Sequence, residues 1–191
     1  MKKCLFLLVL IFNCHIFASA PKGFFANYPN YYFVESGSFT GEGINNALKS
    51  GKFKEIHSIE LSDKFFSQCK NLFRSYSQVH LWHGDSGDIL GKVIKNLNKP
   101  ITFWLDGHYS GGETAKGKNY SPIIRELEHI QKHPIKNHTI LIDDVRLMGT
   151  KSFDNVTLEM IIEKIYEINP YYEISFQRGY VDNDILVAEI K

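Results

Sequence analysis

The sequence predicts an α/β chain built on a doubly wound, mostly parallel seven-stranded sheet, with helices on both faces and an antiparallel hairpin at its C-terminal end. Three observations carry this reading. Short β-branched or aromatic runs alternate with helical patterns, the runs are apolar on both sides, and the last two runs are joined by a turn instead of a helix. Parallel neighbours need a long crossover, usually a helix, so strict alternation implies them. Strands covered on both faces read as continuous apolar runs.

In chain order, strands are predicted at Tyr32–Val34, Ile56–Glu60, Gln78–Trp82, Ile101–Leu105 and Thr139–Ile142. Apolar residues recur at i, i+3 and i+4 through Ile44–Leu48, Lys64–Phe73, Ile89–Leu97, Ile123–Ile130 and Leu158–Ile168, which predicts amphipathic helices. Tyr172–Gln177 and Ile185–Ile190 flank the turn signal Val181-Asp182-Asn183-Asp184 and form the hairpin. No repeat, low-complexity tract or long linker divides the chain, so residues 21–191 read as one domain. Pro21–Tyr31 stands outside the alternation and reads as a lid or a tail.

With 191 residues, 43% apolar and 14% aromatic, the chain has material for a packed core, which excludes a disordered one. A net charge of +1 with thinly spread lysines lacks the basic stripe that neutralises a phosphate backbone, which argues against nucleic acid as a partner. Lys2 and Lys3, the apolar run Leu5–Phe12 and the small residues Ala18-Ser19-Ala20 read as a signal peptide over residues 1–20 and predict export, periplasmic or secreted. The run is shorter than the roughly 18 to 20 residues a spanning helix needs, so no stable membrane span remains after cleavage. A lipoprotein site at Cys14 is disfavoured by Asn13, where a small residue belongs. In the cleaved chain only Cys69 is left, which excludes an intramolecular disulfide. Within Phe65-Phe66-Cys69-Leu72-Phe73 it reads as a packing residue.

Ligands of open parallel sheets bind outside the carboxyl ends of the strands, so the residues that follow each strand are the candidates. After the first strand comes Glu35-Ser36-Gly37-Ser38-Phe39-Thr40-Gly41-Glu42-Gly43, whose small residues let a ligand approach the backbone at a helix N-terminus. Glu60 closes the second strand, where a carboxylate accepts both hydroxyls of a ribose; Ser62 is available to cap the next helix. Gly84-Asp85-Ser86 closes the third and offers polar groups to an adenine, with Asp85 equally suited to a helix cap. The fourth ends in Asp106-Gly107-His108 and the fifth in Asp143-Asp144. Carboxylates so clustered repel one another unless a cation or proton sits among them, which points to a divalent ion on Asp106, Asp143 and Asp144. His108 has the pKa of a general base. The glycine-rich loop Tyr109–Ser121 carries Lys116 and Lys118, which either meet an anionic substrate or are solvated. His80, His83, His129, His133 and His138 show no metal-ligand spacing and read as surface or packing residues.

In this order the strand-end motifs resemble those of class I S-adenosylmethionine-dependent methyltransferases, above all the small metal-dependent O-methyltransferases and related sugar and macrolide methyltransferases. The resemblance spans nearly all of residues 21–191 and implies a Rossmann-like fold. It implies further that Glu35, Gly37, Ser38 and Gly41 line the methionine end of S-adenosylmethionine, that Glu60 holds its ribose, and that Asp85 and Ser86 face its adenine. Asp106, Asp143 and Asp144 would hold Mg2+ or another divalent cation, with Asp106 and His108 catalytic on a small-molecule or sugar acceptor, whose proton His108 or a lysine of the following loop would take. The chain departs from the catechol-type pattern at Asp143-Asp144, where that pattern has Asp-Asn, and in its longer loop Tyr109–Ser121. Pro21–Tyr31 and that loop are expected to shape the acceptor end. Because S-adenosylmethionine is made in the cytosol, the leader sits uneasily with methyl transfer. Two alternatives avoid the tension: an exported divalent-metal-dependent hydrolase or hydroxylase-like enzyme using the carboxylate cluster, and a non-catalytic ligand-binding module.

Overall fold

The computed structural model describes residues 20–191; the predicted leader, save Ala20, lies outside them. Its elements are β1 (Tyr32–Ser36), α1 (Glu42–Ser50), β2 (Glu55–Glu60), α2 (Asp63–Leu72), β3 (Val79–His83), α3 (Ser86–Ile94), β4 (Ile101–Leu105), α4 (Ile123–Lys132), β5 (Thr139–Ile142), α5 (Leu158–Ile168), β6 (Glu173–Gln177) and β7 (Ile185–Glu189). One seven-stranded sheet runs β3-β2-β1-β4-β5-β7-β6. The first five strands are parallel, and β7 lies antiparallel between β5 and β6. This is the expected Rossmann-like arrangement with its closing hairpin. The strand order reverses between β1 and β4, the point at which such sheets bind ligands. Among the described residues no helix is long and apolar enough to cross a membrane.

Alternation of side chains explains the two-sided apolar runs. Val34, Ile59, Phe103, Ile142 and Leu186 face the core under α3, α4 and α5, where Leu90, Leu127 and Ile165 meet them. Their strand neighbours Phe33, Ile56, Trp104, Leu141 and Val187 face the second core, with Ile44 of α1 and Cys69 of α2. Burial pushes the Cys69 thiol up to about 12, as suits a packing residue.

Pro21–Tyr31 is neither lid nor tail. Phe24 and Phe25 form a short 3-10 turn and are buried against Trp104, with ring centroids 6.1 and 5.3 Å away. Asn30 donates through Nδ2 to the hydroxyls of Thr102 and Thr139, both at 3.1 Å, near the starts of β4 and β5. Asn30 thus anchors the segment at the strands' starting ends, while Phe24 and Phe25 seal one sheet face behind Trp104, and no residue of the segment lines the cleft itself. Two adjacent phenylalanines on exposed backbone would have cost several kcal/mol of unburied apolar surface, which is why they fold back onto the sheet.

Candidate active site

The carboxyl ends of the parallel strands open into a cleft of about 940 Å³, lined among others by Glu35, Gly37, Glu60, Asp85, Asp106 and His108. Its floor is the turn from β1 to α1. Gly37 has φ +84, and its amide donates to Ile59 O at 2.9 Å. A Cβ there would stand 2.4 Å from the backbone oxygen of Asp106, so only glycine lets the two loops meet. The Glu35 carboxyl is buried beside Gly43 of α1 and accepts the Ser58 hydroxyl at 2.5 Å, which in turn lies 2.5 Å from the Ser38 hydroxyl. Burial pushes Glu35 up to about 8, against the pull of Ser58.

Glu60 ties the first two loops together. Its Oε2 accepts the Phe39 amide at 2.8 Å and its Oε1 the Ser62 amide at 2.7 Å. Ser62, expected to cap α2, makes no side-chain capping bond; its own amide donates to the carboxylate two residues earlier. Asp85 does cap α3: its Oδ1 accepts the Gly87 amide at 2.9 Å, so the helix starts at Ser86, ahead of its apolar pattern. The same carboxylate takes Arg125 Nη2 on both oxygens at 3.1 Å. Ser86 lines the cleft beside it.

Among the acids of the cluster lie the His108 imidazole and the Arg146 guanidinium. His108 lies between Asp106 and Asp144, with Nδ1 3.5 Å from Asp106 Oδ1 and Nε2 3.3 Å from Asp144 Oδ2. Arg146 pairs with both Asp144 and the fully buried Asp184, the residue just before β7. Burial alone would lower His108, but the bond and charge of Asp106, with Asp144, outweigh it and raise its pKa. Burial likewise raises Asp106, to about 6.

Asp143 stands apart. Its Oδ1 accepts the Asp144 amide at 2.9 Å, and burial, then the charges of Asp106 and Asp144, push it up to about 9. It groups with Asp144 and Asp184, whereas the set that meets Asp106 is Asp106, His108 and Asp144, with ligand atoms within 4.8 Å of one another. The three expected metal ligands are thus not brought together as one set. An acid whose pKa is raised on folding contributes stability that is complete below its unfolded value and is lost as pH rises through the folded one. Wild-type stability, read by thermal unfolding, is therefore expected to fall as pH rises from about 4 toward 9, Asp143 contributing up to about 1.4 kcal/mol per pH unit throughout and Asp106 and Glu35 adding to it below about 6 and 8. Asp143→Asn, which mimics the neutral acid, should flatten that slope; an unchanged slope would rule out a buried neutral Asp143.

The loop Tyr109–Ser121 is pinned at its base by the Tyr109 amide on Tyr120 O at 2.6 Å, and it reaches across to α2 through Lys64 and Glu113. Lys118 pairs with Asp88, and Lys116 lies over the Tyr120 ring, so both predicted anion-binding lysines already have partners. Sequence reasoning missed Ser58, Arg125 and Arg146. Only Arg146 left a signal: a basic residue two positions after paired aspartates is their nearest source of compensating charge.

No protein-family model matches this sequence, and no curated protein matches it by sequence. Solved structures do. An O-methyltransferase from Bacillus cereus in complex with SAH is similar at 14% identity and TM-score 0.58, over 87% of this chain and 77% of that one. The SAH-bound Podospora anserina methyltransferase PaMTH1 is similar at 14% identity and TM-score 0.57, over 85% and 72%. The N-methyltransferase NodS from Bradyrhizobium japonicum is similar at 10% identity and TM-score 0.53, over 87% and 90%. The chain thus has the fold of class I S-adenosylmethionine-dependent methyltransferases.

Proposed function

We propose that this chain transfers a methyl group from S-adenosylmethionine to an oxygen of a small molecule or sugar. The observation that carries this reading is the Glu60 carboxylate, fixed at the end of β2 by the amide of Phe39 in the glycine-rich turn. It brings a ribose acceptor and a close-approach backbone into one cleft.

In this proposal Gly37, Ser38 and Gly41, with Glu35 beneath them, form the methionine end, and Glu60 takes the ribose hydroxyls. Ser86 meets the adenine, while Asp85 fixes the turn that presents it, its own oxygens being held by Gly87 and Arg125. The bound cofactor supplies an activated methyl on a sulfonium. The chain's residues align the acceptor oxygen, exclude water and move its proton. His108, oriented by Asp106, would take that proton, and Asp106 and Asp144 would stabilise the imidazolium that results.

Within the cluster Arg146 already pairs with Asp144 and Asp184. A second reading, a divalent-metal hydrolase, rests on the set Asp106, His108 and Asp144 and on the predicted leader, since an exported hydrolase would need no cytosolic cofactor. An ion held there would polarise a water or a substrate hydroxyl.

Calorimetric titration of the purified chain with S-adenosylmethionine and S-adenosylhomocysteine separates the two. Micromolar binding, equal in magnesium and in EDTA, is expected. Glu60→Gln should weaken it by about 10- to 100-fold, the worth of charge-assisted hydrogen bonds of about 1.5–3 kcal/mol. Metal binding without nucleotide binding would favour the hydrolase.

A further inference from the structure

We propose a transition-metal site on the outer strands of the sheet, formed by Glu55, His57 and His80 and suited to zinc. It lies at the far end of β2 from the cleft: Glu55 opens the strand that Glu60 closes, about 16 Å away at the rise of an extended chain. Residues 55 and 57 share one face by the two-residue period, and His80 is the parallel partner of His57 across the β2–β3 ladder. The two imidazoles therefore lie side by side, 4.7 Å between centroids and 25° between planes. Both turn Nε2 toward one carboxylate oxygen, Glu55 Oε2, at 3.4 Å for His57 and 3.9 Å for His80.

A tetrahedral zinc with bonds of about 2.0–2.2 Å holds neighbouring ligand atoms about 3.3–3.6 Å apart. The Glu55–His57 pair already has that spacing; the Glu55–His80 pair, and the two imidazole nitrogens, which lie within 4.8 Å of each other, are brought to it by a swing of the half-exposed His80 side chain. The buried His57 Nε2 has the Glu55 carboxylate, at 3.4 Å, as its near polar neighbour. Burial and His80 hold His57 well below the usual imidazole range, about 4, so the ring is neutral. Two imidazoles and one carboxylate suit zinc-like ions and disfavour magnesium, and the exposed side leaves room for a water as fourth ligand.

One bond must change. The Trp82 indole donates to His57 Nδ1 at 3.3 Å, which leaves the ring proton on Nε2. When zinc takes Nε2, that proton moves to Nδ1 and the Trp82 N–H loses its acceptor. Zinc binding is thereby coupled to the environment of a tryptophan, and it clips the edge strand β3 to β2.

The test is zinc titration of the purified chain, read by calorimetry and tryptophan emission, with magnesium as the contrasting ion. One zinc per chain is expected, with a change in emission and a higher unfolding temperature. His80→Ala, at a half-exposed position, should weaken zinc by about tenfold or more and leave S-adenosylhomocysteine binding alone. Trp82→Phe should bind zinc more tightly, because no indole bond has to break. His108→Gln should leave the zinc affinity unchanged, which keeps this site distinct from the cleft. The proposal is overturned if the wild type binds no zinc, if His80→Ala binds as well as the wild type, or if His108→Gln abolishes binding.

Discussion

His108→Gln is expected to lower the rate of methyl transfer by about 10²- to 10⁴-fold, the usual worth of a positioned general base, with S-adenosylhomocysteine affinity unchanged. The split between rate and affinity follows from position. The imidazole is wedged between Asp106 and Asp144 on the acceptor side, whereas the proposed nucleotide contacts come from β1, β2 and β3. The pH profile adds a second signature. A base must be neutral to accept a proton, and Asp106 and Asp144 favour the charged ring, so activity should climb with pH on a limb above the ordinary imidazole value near 6.5. That limb belongs to the coupled pair His108–Asp106, not to the imidazole alone. A variant that retains full rate would remove His108 from the chemistry and shift attention to the loop Tyr109–Ser121.

The next largest effect is steric. Gly37→Ala would set a methyl 2.4 Å from the Asp106 carbonyl, backbone against backbone, at a φ of +84 that alanine resists. Neither atom sits on a flexible side chain, so the loops must separate. A loss of about 3 kcal/mol combines the strain of a left-handed non-glycine residue with overpacking, which lowers the melting temperature of a chain this size by roughly 6–12 °C. Gly51→Ala is the control, since it is also left-handed, at φ +64, but has open space around its Cβ. It should show the strain alone, about 1 kcal/mol. Equal losses in the two variants would mean that the contact with Asp106 carries no weight.

How much of this was legible in the sequence depended on whether the deciding contact was local. β4, β5 and α5 have the bounds that pattern alone assigns, because two-sided burial and a clean helical stripe are encoded residue by residue. The start of α3 was missed because a capping aspartate, not an apolar residue, begins it. The strand-end acids were found at their positions, since the sheet's topology fixes which residues face the cleft. Their partners were not. Ser58 reaches Glu35 across strands, Arg125 reaches Asp85 from α4, and Arg146 joins Asp144 to a residue 38 positions further on. The same blindness hid Glu55, His57 and His80, whose spacing is set by the register of two strands and not by either strand alone. The sequence shows the clustered acids but not that Arg146 folds back among them.

The place of β7 has a consequence for biosynthesis. It is the last strand in the sequence, yet it occupies an inner position of the sheet, and Asp184 at its threshold anchors Arg146. A growing polypeptide can assemble β1 to β5 on the ribosome, but until residues 184–189 emerge, β5 remains a bare edge and Arg146 lacks half of its anchor. The cleft's electrostatic balance thus waits on a segment made well after the strands that shape the cleft.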